Sequence, residues 1–363
     1  MVVSRAYTKL SNLLEVFVFV SRETIAAKGI FSKRLPEVHS QPNFRQHFLA
    51  DCTCFMAHFI VTGAAGFIGS HSVDCLLEAG HSVAGLDNFR TGRRENLAAA
   101  LTHPQFELIE ADVAAPGAVA GIAGRRPVDA IIHLAALVSV PESIANPALN
   151  FSLNIEATQQ VAEAARIHGV RRVIFASSAA VYGNATQLPL AETAEMRPIS
   201  PYGAAKLASE AILLGHAAAY GFVARCQRYF NVFGPRQDPS SPYSGVISIF
   251  QQRYQAGQPV TIFGDGTQSR DFISVRDVAR ANLLAAQATT SGVANICTGR
   301  STSLQAIVTE LARHFPGVPA PRYGDARSGD ILHSLGSPEA AWRALGFRAE
   351  VSLETGLAEL LGR

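Results

Sequence analysis

Three side chains in the middle of this chain have the types and spacing needed to move a proton. Tyr202 and Lys206 stand four residues apart in Ser200-Pro-Tyr-Gly-Ala-Ala-Lys206. The proline suits the first turn of a helix, so phenol and ammonium share one helical face. Ser178 lies 24 residues earlier, at the end of an apolar run that continues as Ala-Ala-Val-Tyr-Gly183. Tyrosine starts near a pKa of about 10 and is a poor base at neutral pH. A neighbouring ammonium favours the phenolate and lowers that value. Tyr202 is therefore the expected base, with Lys206 activating it and Ser178 at hand.

The other chemistry-bearing stretch is Thr62-Gly-Ala-Ala-Gly-Phe-Ile-Gly69, directly after the apolar run Phe59-Ile-Val61. Gly63 permits a tight turn, Gly66 lets a phosphate approach the backbone, and Gly69 lets helix and strand pack closely. Phe67 and Ile68 open a helix whose free N–H groups and positive dipole end suit a pyrophosphate. Asp87 closes the next apolar run 18 residues after Gly69. A carboxylate there takes the ribose hydroxyls of NAD and repels a 2′-phosphate. The positive nicotinamide ring would add to Lys206 in favouring a Tyr202 phenolate.

These residues need a parallel sheet to position them. Apolar runs predict strands at 59–62, 82–87, 106–110, 130–134, 172–177 and 223–229, and amphipathic patterns predict helices at 67–79, 117–123, 149–168 and 201–220. The alternation implies an α/β fold: a doubly wound parallel sheet (Rossmann) with a smaller mixed α/β C-terminal lobe. Asp112 and Val113 follow the third strand, where they can meet adenine. His133-Leu134-Ala135-Ala136 ends the fourth with small residues that let the chain run beside the cofactor, and Asn154 lies early in the long helix. Alone, Asp112 and Asn154 serve equally well as capping or turn residues.

The 363 residues carry a net charge of +2, 48% hydrophobic and 17% charged residues. That composition fits a globular enzyme and gives no case for binding nucleic acid. Five scattered cysteines speak for a reducing compartment, the cytoplasm, rather than a disulfide framework. Residues 1–56 stand outside the pattern as a poorly ordered extension, ahead of a cofactor domain at 57–230 and a substrate lobe at 231–363 that returns to the sheet. The run Leu13–Val20 is too short for a membrane span and is interrupted by Glu15. Cys52, Cys54, His39 and His47 match no metal-ligand spacing, so no metal is expected.

From about residue 57 the chain resembles the extended short-chain dehydrogenase/reductases. Within them it resembles the nucleotide-sugar 4-epimerases acting on UDP-glucose and UDP-N-acetylglucosamine. The glycine motif, Asp87-Asn88-Phe-Arg-Thr-Gly92, His133–Ala136, Val138-Ser-Val-Pro-Glu-Ser143, Ser178 and Tyr202/Lys206 carry the likeness. The resemblance implies NAD as cofactor, with Asn88 among its contacts and Phe230 on the nicotinamide side. It implies a UDP-sugar substrate held by Asn231, by Thr261 and Phe263 at uracil, by Arg270 and Arg327 at the diphosphate, and by Asp330 at the ribose. Val138, Gly245 with Val246, and Ser334 would border the sugar. Ser334, seven residues after Arg327, would leave room for an N-acetyl group that a tyrosine would exclude. Ser178 would hydrogen-bond the sugar oxygen that Tyr202 deprotonates. Related dehydratases and decarboxylases carry a carboxylic acid where this chain has Ala179 and Ala180. A dehydrogenase releasing its reduced product and a non-catalytic NAD sensor remain as alternatives. A homodimer is expected through helices 149–168 and 201–220, with Ala157, Ala162, Ala164, Ala165, Ala204, Ala205 and Ala208 on exposed positions.

Overall fold

In a computed structural model, residues 56–238, 245–326 and 331–362 are described. The expectations for residues 1–55 lie outside them. Six strands form where the apolar runs stand: β1 (His58–Thr62), β2 (Ser82–Asp87), β3 (Phe106–Glu110), β4 (Ala130–His133), β5 (Arg172–Ser178) and β6 (Val223–Tyr229). Short strands β7 (Asn231–Phe233), β8 (Thr261–Phe263), β9 (Ser269–Arg270) and β10 (Phe272–Ser274) follow, then β11 (Gly292–Ile296). The central sheet runs β3-β2-β1-β4-β5-β6-β11, and every pair in it is parallel. Strand order reverses between β1 and β4, so their carboxyl ends open the crevice in which such sheets bind ligands. β11 is the return to the sheet, 59 residues beyond β7.

Helices cover both faces. α1 (Phe67–Glu78) and Val275–Ala285 lie on one, their Val73, Leu76 and Ala285 packed with Val61, Ile132 and Ile174. Ala118–Ala123, Ala157–His168 and Pro201–Tyr220 lie on the other, with Val119, Val161 and Leu213 against Ile60, Ile131 and Val173. Strands buried on both sides must be apolar in both registers, which is why they read as unbroken runs. Each fully buried isoleucine contributes about 1.5–3 kcal/mol. A separate cluster built on Phe250, Ile262, Ile307 and Leu311 holds the C-terminal elements together.

Two expectations are corrected. The long helix is not uniform: Pro147–Asn150 is α-helical, Phe151–Glu156 winds as a π-turn, and regular helix resumes at Ala157. The alanines, moreover, do not form an exposed face. Ala157, Ala162, Ala164, Ala165 and Ala205 are buried within the chain, Ala208 is half-buried and only Ala204 is exposed. Their small side chains let the two helices approach each other and the sheet.

Candidate active site

The glycine turn is built by contact. Gly63 sits at φ +69°, and a Cβ there would stand 2.8 Å from the amide nitrogen of Ala135. On Gly69 a Cβ would stand 1.9 Å from the carbonyl oxygen of Gly63. Gly66 precedes α1 in extended conformation, and among the described residues no side chain caps the helix, so its first-turn N–H groups are left without a capping side chain. Thr62 joins the two strand ends: its hydroxyl meets Nδ1 of His133 at 2.8 Å and accepts from the amides of Leu134 and Ala135 at 3.2 Å each. Leu134, Ala135 and Ala136 are thereby half-buried along the crevice.

Asp87 ends β2 as the sequence requires. It is buried, accepts from the amides of Ala65 and Phe89 at 2.8 Å each, and burial raises its pKa against those bonds. Exposed Asn88 donates to Asp112 at 3.1 Å, and Val113 beside it is buried. A glycine cradle that any Cβ would fill, an uncapped helix start and a carboxylate at the second strand end fit NAD.

Ser178, Tyr202 and Lys206 converge beside this groove. Ser178 ends β5, and its hydroxyl stabilises the Tyr202 phenolate. Ser200 caps the Tyr202 helix through the amide of Gly203, while the Ser143 hydroxyl accepts from the amide of Tyr202 at 3.2 Å. Lys206 is buried; its Nζ donates to the Ala176 carbonyl at 2.8 Å and lies 5.8 Å from the Tyr202 ring centre. The electrostatic balance differs from the expectation. Burial pushes the Tyr202 phenol above its ordinary value, and burial pushes the Lys206 amine down to about 7. Among the chain's own groups, desolvation outweighs the Ser178 hydrogen bond at Tyr202 and the Glu210 charge at Lys206. His133, behind Lys206, stays neutral, burial and the Lys206 charge taking it to about 3.

Asn154 lies in the π-turn, its amide donating to Leu137 and Asn150 at 3.0 and 2.8 Å, its own oxygen buried without a partner among the described residues. A π-turn re-aims such a side chain, and these turns cluster at functional sites. Exposed Val138 follows the β4 end. Exposed Asn231 opens β7 and Gly245 precedes helix Val246–Gln255, a Cβ on it reaching 3.1 Å from Gln237. Arg270 and Ser334 share one strip: the Ser334 amide donates to the Ser269 carbonyl at 3.0 Å, and Arg270 donates to Leu332 at 3.2 Å. Thr261 and Phe263 stand exposed on β8. Phe230 is packed among Val181, Tyr182, Leu190 and Cys297. Arg327 and Asp330 lie outside the described residues.

Glu210 and Arg228 escaped the sequence reading. They form a buried ion pair at 2.7 Å directly behind Lys206, and the signal was present as Glu210 four residues after it. Among the described residues no group of three or more His, Cys, Asp or Glu side chains could hold a metal, and no helix is long and apolar enough to cross a membrane.

Fold and site together define an extended short-chain dehydrogenase/reductase. More closely, the chain belongs to the NAD dependent epimerase/dehydratase family, whose model matches residues 59–297. It is 38% identical over 302 residues to the UDP-glucose 4-epimerase of Mycolicibacterium smegmatis, covering 83% of this chain and 96% of that one. Among solved structures it resembles the UDP-N-acetylglucosamine 4-epimerase of Methanobrevibacter ruminantium in complex with UDP-N-acetylmuramic acid, with TM-score 0.81 and 36% identity over 85% of this chain and 97% of that one. The UDP-glucose 4-epimerase of Thermotoga maritima with UDP-glucose gives TM-score 0.79 and 37% identity over 84% and 97%.

Proposed function

We propose that this protein is an NAD-dependent UDP-sugar 4-epimerase that interconverts UDP-GlcNAc with UDP-GalNAc and also accepts UDP-glucose and UDP-galactose. The observation that carries this reading is the convergence of Ser178, Tyr202 and Lys206 at the strand ends, followed by Ala179 and Ala180 rather than a carboxylic acid. Elimination or decarboxylation lacks its acid/base group there, which leaves reversible oxidation at one carbon.

NAD, when bound, supplies the reversible hydride acceptor at C4. Tyr202 takes the proton from the sugar 4-OH and later returns it, and Ser178 hydrogen-bonds the same oxygen. Lys206 holds the phenolate charge. Arg270 and Arg327 grip the diphosphate, a task suited to guanidinium forks. The sugar, held loosely between Val138, Gly245 and Ser334, presents one face and then the other. Binding energy from the remote nucleotide supports that positioning.

The proposal places residues 57–230 as cofactor domain and 231–363 as substrate lobe, with the reaction in the cytoplasm. It includes a homodimer through helix Pro201–Tyr220, where Ala204, Ala211, Gly215 and Ala218 are exposed on one stripe; sedimentation as a monomer at micromolar concentration would remove it. The deciding experiment incubates the purified protein, without added cofactor, with each of the four UDP-sugars and resolves the epimers. A dehydrogenase would give net reduced cofactor and no epimer, and a sensor would give neither.

A further inference from the structure

The end of β5 meets one face of helix Pro201–Tyr220 at three consecutive residues. The Ala176 carbonyl accepts from Lys206, the Ser177 hydroxyl donates to the Glu210 carboxylate, and the Ser178 hydroxyl meets the Tyr202 phenol. Tyr202, Lys206 and Glu210 are spaced four apart, so they follow one another along the helix face. Glu210 is itself fixed, for Arg228 grips it with Nε at 2.9 Å and Nη2 at 2.7 Å. Arg228 is turned the same way by the Tyr182 hydroxyl at 2.9 Å, and both members of the pair are buried.

A tyrosine and a lysine that share one proton have two arrangements, ammonium with phenolate or amine with phenol. Both contain the same number of protons, so pH cannot choose between them and only the local field can. Burial favours the uncharged arrangement at both residues. We infer that Glu210, fixed by Arg228 and Ser177, is a positioning residue that selects the ammonium–phenolate arrangement of Lys206 and Tyr202. The inference rests on the epimerase reading for its consequence, not for its geometry.

The surroundings leave this task to Glu210. From β4, Lys206 faces neutral His133; from β5, the Phe175 ring at 4.8 Å and the Ala176 carbonyl; on β6, Arg228 directs its charge at Glu210. The Glu210 carboxylate is the group that raises the Lys206 value against burial. Lysine is also rare here. The chain has four, at positions 9, 28, 33 and 206, so Lys206 is the only one after residue 33. Arginine, always charged, could not be tuned in this way.

The test compares Arg228→Gln with Arg228→Gln/Glu210→Gln in the full chain labelled with 13C-lysine, with Lys206→Met assigning the signal. Both variants lose the buried ion pair, but only the second loses the anion. In Arg228→Gln, Lys206 should titrate at or above the parent value. In the double variant its value should fall by about 1–3 units, and kcat should fall by about 10-fold or more relative to Arg228→Gln at every pH at which the protein stays folded. Glu210→Asp, which keeps the charge, should titrate nearer the parent than Glu210→Gln, and that comparison serves if Arg228→Gln does not fold. Equal Lys206 titration in the two Arg228 variants, or in Glu210→Asp and Glu210→Gln, overturns the inference. The titration is read without sugar. A lysine shift in a protein that interconverts no UDP-sugar would therefore overturn the function alone.

Discussion

A Cβ on Gly69 would stand 1.9 Å from the carbonyl oxygen of Gly63, so the first turn of α1 touches the end of β1 backbone to backbone. No rotamer change relieves that contact, because the obstructing atom is main chain. Gly69→Ala should therefore displace the glycine turn. Overpacking of this kind costs about 1–3 kcal/mol, and the protein should retain about 10-fold less NAD after gel filtration. Parental retention would show that the helix start adjusts freely.

Tyr202→Phe keeps the ring and removes the proton-accepting oxygen. Its kcat should fall by about 100-fold or more, while bound NAD, measured from the denatured protein, stays near the parental amount. Near-parental turnover would remove Tyr202 from the mechanism.

His133 gives a pH dependence of stability. The folded imidazole stays neutral down to about 3, whereas the unfolded one takes up a proton near its ordinary value of 6.5. Between those values the unfolded state binds more protons, so stability is lost as pH falls through this window, at up to about 1.4 kcal/mol per unit. His133→Asn, which keeps hydrogen-bonding groups and has no titration there, should show a shallower fall in unfolding midpoint from pH 6.5 downward. Equal slopes would show that other groups govern acid unfolding.

Ser334 is held beside β9 by the hydrogen bond its amide donates to the Ser269 carbonyl, in the strip that also carries Arg270. Ser334→Tyr should cut turnover of UDP-GlcNAc relative to UDP-glucose by about 10-fold or more, the scale on which steric contacts discriminate in a pocket. An unchanged substrate ratio would show that the gate lies elsewhere.

The local pattern by itself determined the six leading strands, the glycine turn and the pairing of Tyr202 with Lys206. Those features follow from periodicities of two and 3.6 residues and from backbone needs that a single glycine or proline meets. The seventh strand, Gly292–Ile296, is different: five residues of Gly-Val-Ala-Asn-Ile carry little pattern and become a strand because β6 offers a free edge. The alanines of the two long helices show the same division. Their helical preference is local, but whether Ala157 or Ala204 meets the sheet or water depends on how the helices are rotated against it. Glu210 and Arg228 are 18 residues apart; the four-residue spacing puts Glu210 on the Lys206 face of the helix, but nothing near Arg228 announces it as the buried partner. Only the tertiary structure decided that they face each other behind Lys206, because burial and partnership depend on which strand lies next to which helix.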